Sequence, residues 1–498
     1  MPHPGWAEAP LSAIDWLSQS LATPDLAPKP AQPAVALDGA LPEDVSVSVL
    51  GGPSPDASGL LPPSVTGFPR ALWGMGRTAA IAAAIKDTRT DALPALQGLL
   101  LTLLLAEADA PIDTKTDGAL LTARVDKLLE IGALEQASAL LAAAGAATSP
   151  DIFRRSFDVA LLTGDEDRAC ATLRATPGLA PSLTARVFCL ARAGDWNAAN
   201  LTLTTSKALG QVSPEESALL SRFLDPELAE GDTPPPLKPI TPLTLRIYEA
   251  IGAPLPTTSL PIAFAHSDLD DQNGWKAQIE AAERLVRAGA IAPNLLLGLY
   301  TQRPPAASGG VWDRVDAFQR FDAALTQGDP VAVARYLPVA YAQMAKMELE
   351  VPFATLFAQP LNALPLTDDA SALAFEIGLL SPDYETIAVR SVDGLPGTRD
   401  FFLKGLAQGA VNGIPPPDSM ARAIAPAFLT SDISEDFATL LDQRRLGEAI
   451  LRAMAQISDG LQGDISEVTA GLALLRHVGL EDVARRTALE LILLERRG

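Results

Sequence analysis

The chain has 498 residues, 48% of them apolar but only 5% aromatic, and carries 38 basic against 60 acidic side chains for a net charge of −22. That length and apolar content suffice for several domains or one long repeat array, and the dominance of Ala and Leu favours packed helices over sheets. Such an acidic chain repels phosphate backbones, which argues against nucleic acid as a partner, and no run reaches the roughly 18 apolar residues of a membrane helix.

The first residues, Gly5-Trp6-Ala7 before Glu8-Ala9-Pro10, have the small-x-Ala form of a signal-peptidase site, without the basic and apolar segment that would precede it. The expectation is an exported chain whose native start lies upstream; the alternative is retained Met1 and a cytoplasmic chain. Residues 9–22 predict a short helix with Ile14, Leu17 and Leu21 on one face. Trp16 falls off that stripe, so the segment serves either as a docking peptide or as a helix folded back on the body. Five prolines between Pro24 and Pro42 mark a linker, and Val45-Ser46-Val47-Ser48-Val49-Leu50 alternates with period two, the clearest strand signal in the chain. Residues 1–68 thus form a largely irregular, Pro-rich arm.

From Arg70 onward the pattern is helical. Helices are expected at 70–87, 91–108, 116–131, 134–144, 150–163, 166–176, 181–193, 195–209 and 213–224. A Pro-rich run at 227–242 then separates two helical-repeat domains, 69–226 and 243–498. Beyond it, helices are expected at 242–252, 274–288, 292–302, 309–326, 329–348, 351–364, 367–380, 397–410, 417–428, 433–443, 446–458, 463–478 and 480–496.

Three helix-to-helix turns within 116–210 are alike: Gly132-Ala133-Leu134-Glu135-Gln136-Ala137, Gly164-Asp165-Glu166-Asp167-Arg168-Ala169 and Gly194-Asp195-Trp196-Asn197-Ala198-Ala199. Each places an alanine five residues after a glycine, and the glycines lie 32 and 30 residues apart. Glycine lets the chain reverse between antiparallel helices, the acids at 165 and 195 favour the second helix, and the alanine leaves room for close approach. The pattern resembles a tetratricopeptide-type repeat. That resemblance implies paired helices and a concave protein-binding surface, with no chemistry of its own. The unit is shorter than the standard repeat of about 34 residues and lacks most of its aromatic positions. The opening 8–17 and Gly274-Trp275-Lys276-Ala277-Gln278 also resemble a group of α-proteobacterial exported proteins, some called antifreeze glycopeptide-like; no regular Ala-Ala-Thr array supports that activity here.

In a repeat of this kind Cys170, in the second helix of one unit, and Cys189, in the first helix of the next, lie on adjacent helices. A disulfide, which export would allow, and a plain apolar interface are both compatible. No metal cluster or cofactor site can be read from the two cysteines and the widely spaced His3, His266 and His477. The polar run 265–274 lacks the first carboxylate of a calcium loop, because Leu269 stands there, and reads as the start of the helix at Trp275. The loop from Arg303 to Trp312 offers an arginine and an aromatic as a binding edge. Glu216-Ser217 matches the dipeptide of transglycosylases that carry helical solenoids, but Ser213-Pro214-Glu215 before it reads as a helix opening.

The expectation is therefore an all-α superhelical solenoid of degenerate TPR-like helix pairs. Its role would be that of a non-enzymatic scaffold or adaptor of the cell envelope, holding another protein or peptide in its groove. The alternatives are a peptidoglycan-associated enzyme and a cytoplasmic regulatory adaptor.

Overall fold

The computed structural model describes residues 54–494 except 116, 146–148, 226–234, 306, 391–396, 431 and 462. Among the described residues there are 25 α-helices, packed in adjacent pairs, and no strand. The expected strand at 45–50 and the helix at 9–22 lie outside the described residues.

Chain order begins with α1 (Pro63–Thr66), α2 (Thr78–Asp87), α3 (Pro94–Leu105), α4 (Ala119–Glu130), α5 (Leu134–Ala143) and α6 (Pro150–Thr163). It continues through α7 (Glu166–Ala175), α8 (Leu183–Arg192), α9 (Trp196–Ala208), α10 (Pro214–Leu224), α11 (Pro242–Ala250) and α12 (Ala265–Asp268). The middle of the chain supplies α13 (Trp275–Arg287), α14 (Pro293–Thr301), α15 (Val311–Thr326), α16 (Pro330–Ala345), α17 (Glu350–Ala363), α18 (Asp368–Leu379) and α19 (Tyr384–Arg390). The last are α20 (Thr398–Ala407), α21 (Ser419–Leu429), α22 (Glu435–Asp442), α23 (Leu446–Gly460), α24 (Ser466–His477) and α25 (Glu481–Leu493). Among the described residues no helix is long and apolar enough to cross a membrane.

The three repeated turns adopt the left-handed glycine conformation, with φ of 79° at Gly132, 81° at Gly164 and 80° at Gly194. Ala137, Ala169 and Ala199 are all buried. Asp195 caps α9 by accepting from the Ala198 amide at 3.1 Å, whereas Asp165 makes no side-chain cap.

Several helix ends also receive a charged side chain from elsewhere in the fold. The Asp56 carboxylate accepts from the Leu121 amide at 2.8 Å in the first turn of α4, whose own N-cap, Gly118, has no side chain. Buried Lys127 donates to the carbonyls of Lys86 and Thr88 at the end of α2, each at 2.8 Å. Arg124, fully buried on the same helix, donates to the carbonyls of Leu104 and Ala106 at the end of α3. Arg246 reaches Leu161 in the last turn of α6, and Arg476 reaches Ala427 in the last turn of α21. Acids thus meet unpaired N–H groups and bases meet unpaired C=O groups, as the end charges of a helix favour.

The array closes on itself. Helix α25 packs on α3, and α23 packs on α2 and α3. The Gly447 amide donates to Leu72 O at 2.9 Å and the Met75 amide to Gln443 O at 3.3 Å. A side chain at Gly447 would collide with the Trp73 ring, so only glycine lets the two ends approach this closely. In an open solenoid each unit touches only its sequence neighbours; here the early helices and the last ones share a core.

Helix α6 joins two apolar clusters. Its Ile152, Val159 and Leu162 enter the main one, which runs from Phe68 to Leu494 and includes residues on both sides of 227–242. Phe153, Phe157, Ala160 and Leu161 enter a second cluster built with α7–α11. After the Pro-rich run the chain returns to this hub, with α11 and α12 both packing on α6.

Candidate binding cleft

An open cleft of about 400 Å³ lies between α13, the start of α15 and the α16–α17 turn, lined by Lys276, Glu280, Arg284, Val311, Trp312 and Met347 among others. Its walls follow from how α13, α14 and α15 pack.

Trp275 opens α13 and is 6% exposed. Its indole Nε1 donates to the Leu299 carbonyl near the end of α14 at 2.9 Å, which fixes the ring. Trp312, in the first turn of α15 and half-buried, packs on it with ring centroids 5.0 Å apart and planes tilted by 40°. The Arg303 guanidinium lies 5.2 Å from the Trp275 ring, in cation–π range. Gln319 ties down the intervening loop by donating from Nε2 to the Tyr300 and Arg303 carbonyls at 2.7 and 2.8 Å. The structure therefore brings Arg303 and Trp312, the two ends of the loop picked out in the sequence, onto one buried tryptophan.

Behind the aromatic pair lies a buried polar anchor. Glu283, 2% exposed, accepts from the Tyr300 hydroxyl at 2.5 Å and from Arg314 Nε and Nη2 at 2.9 and 2.7 Å. Burial, reinforced by the adjacent Glu283 charge, holds the Tyr300 phenol well above its usual range, so it stays protonated and donates. The carboxylate is saturated by three donors and serves as a brace for Arg314. The next residue, Arg284, donates to the carbonyls of Thr257 and Leu260 at 3.2 and 3.1 Å. A two-point arginine–carboxylate bond and pinned aromatic rings make the cleft wall rigid, which favours binding by lowering the ordering cost.

The other residues noted in the sequence are placed elsewhere. Trp16 lies outside the described residues. Cys170 and Cys189 form a disulfide between α7 and α8 with Cα atoms 5.0 Å apart, and both are buried in the second apolar cluster. Glu216 belongs to a capping box, receiving the Ser213 amide at 3.2 Å while its own amide donates to Ser213 Oγ at 3.1 Å. His266 Nε2 lies 2.6 Å from the Gly132 carbonyl and so links the first repeat turn to α12; burial pushes its pKa down. Asn273 and Gln278 bind the carbonyls of Ser267 and Asp270, which holds the polar run 265–274 as a turn before α13.

Trp275, Tyr300, Glu283 and Arg314 escaped the sequence reading as site residues. They lie on three helices, and only the packing of α13 on α14 and α15 assembles them. Comparison with protein-family models, with curated protein sequences and with solved structures returns no significant match.

Proposed function

We propose that the protein is a non-enzymatic adaptor of the cell envelope, built from degenerate TPR-like helix pairs, that holds a segment of another protein at the Trp275–Trp312 cleft. The observation that carries this reading is the cleft itself: a partly buried tryptophan, Trp312, on a braced wall open to solvent, packed on a second tryptophan that carries a stacked arginine. Aromatic and arginine side chains over a rigid base are the groups that dominate protein recognition energies. The disulfide supports the envelope part of the reading, because such bonds persist in oxidising compartments. Affinity capture from the native host with the wild-type chain and with Trp312→Ala as baits tests it. A partner held by the first and lost by the second is the expected result; identical captured sets overturn it.

A further inference from the structure

The charges at the mouth of the cleft narrow the chemistry of its occupant. Basic side chains are the minority, 38 against 60 acidic, and many are engaged inside the fold. Arg124, Lys127, Arg246 and Arg476 sit on helix carbonyls, and Arg314 is held by Glu283. Arg303 differs. Among the described residues its side chain makes one hydrogen bond, a 3.3 Å contact to the neighbouring Gln302 side chain, and has no carboxylate partner. Lys276, which follows Trp275 on α13, is 60% exposed and reaches Glu280 only at 3.7 Å. Two weakly partnered cations therefore stand by the aromatic pair of an otherwise acidic molecule: Lys276 lines the cleft together with its partner Glu280, where Arg284 and Arg314 outnumber the second acid, Glu283, and Arg303 lies over the adjoining Trp275 ring.

Resting on the cleft as the partner site, we propose that its occupant is a short peptide segment with one or two carboxylates. These would face Arg303 and Lys276, while an aliphatic or aromatic side chain packs on Trp312 and Met347. Charge-assisted pairing at the rim then sets orientation, and apolar contact in the middle supplies affinity. A long polyacidic tract is a poor occupant, because the net charge of −22 repels it before it reaches the two cations.

A random peptide library displayed on phage, panned against the full chain and counter-screened on Trp312→Ala, tests this. The Trp312-dependent sequences are expected to be enriched in Asp or Glu beside an apolar residue. A synthetic peptide from that set should lose about threefold to tenfold in affinity on Arg303→Gln or Lys276→Gln. Both are exposed positions whose substitution leaves the core intact, which thermal melting confirms independently. Trp312-dependent peptides without acidic residues, or with affinity unchanged in both charge variants, overturn the acidic occupant and leave the cleft in place. A library that yields no Trp312-dependent peptide overturns the cleft reading itself, and the acidic occupant with it.

Discussion

The Glu490 carboxylate accepts from the backbone amide of Ala95, at 3.1 and 2.9 Å from its two oxygens, across 395 residues of chain. Ala95 is in the first turn of α3, whose N-cap residue Leu93 offers no side-chain acceptor and whose first residue, Pro94, has no N–H. The last helix thus caps one of the first, and the contact is buried on both sides. Replacing Glu490 by Ala leaves that amide unpaired and should cost about 1–3 kcal/mol in chemical denaturation. Hydrogen exchange adds a local reading: the amides at the start of α3 should lose protection in the variant while those of α8 and α9 keep theirs.

Asp158 provides the pH dependence. It lies buried on the hub helix α6, with one carboxylate oxygen lacking a hydrogen bond. Burial pushes its pKa up to about 7 against the opposing charges of Arg154 and Arg155, and Asp126 from α4 adds to the rise. The folded-state pKa therefore exceeds the unfolded one. Between about pH 4 and pH 7 the native state holds a proton that the unfolded chain has released, so this group's stability contribution is present at the acid end and is lost as pH rises through that window. The loss is on the order of a few kcal/mol. Asp158→Asn should flatten the slope between about pH 4 and pH 7 and be more stable than wild type above that window. An unchanged slope in denaturation measured at both pH values contradicts the assignment.

The disulfide is enclosed on both sides, Cys170 being 3% and Cys189 1% exposed. Alkylation after mild reductant should therefore give no mass shift in the folded protein and two adducts once denaturant is present. Replacing both cysteines by serine should cost about 2–4 kcal/mol, the range expected for closing a loop of this size.

The repeated glycines are not equivalent. At Gly194 the backbone has φ of 80° and nothing lies within 4 Å of an added Cβ, whereas at Gly132 such an atom would meet Leu285 Cδ2 at 3.1 Å and Ile262 Cγ2 at 3.3 Å. Gly194→Ala carries only the left-handed strain of about 1–2 kcal/mol. Gly132→Ala should cost roughly 1 kcal/mol more, because it also pushes against the docked α13. Equal melting temperatures for the two variants would show that the Gly132 turn is not docked.

Helix positions were legible because proline, glycine and serine punctuate them. The segment expected at 150–163 is α6 as found, with Ser149 capping, Pro150 opening and Gly164 closing it. The helix expected from residue 70 begins only at Thr78. Gly74 and Gly76 interrupt it because they lie directly against Arg444 and Glu448 of the C-terminal part, a demand no local pattern announces. Helices α12 and α19 escaped notice because four and seven residues carry too little periodicity. The Glu490–Ala95 contact, the shared hub α6 and the pairing of Trp275 with Trp312 have no signature at short range. Arg303 and Trp312 could be suspected from their loop, but the tryptophan that unites them stands on an earlier helix and is chosen by tertiary packing.

The most direct measurement is affinity capture from the native host with three baits: wild type, Trp312→Ala, and Trp196→Ala as a control at a tryptophan 51% exposed on α9. The expected result is one partner captured in near-equal amount with wild type, retained by Trp196→Ala and reduced at least about tenfold by Trp312→Ala, a size of loss usual for a central interface aromatic. Capture unaffected by Trp312→Ala, or lost equally in the control, would contradict a binding site at the Trp275–Trp312 cleft.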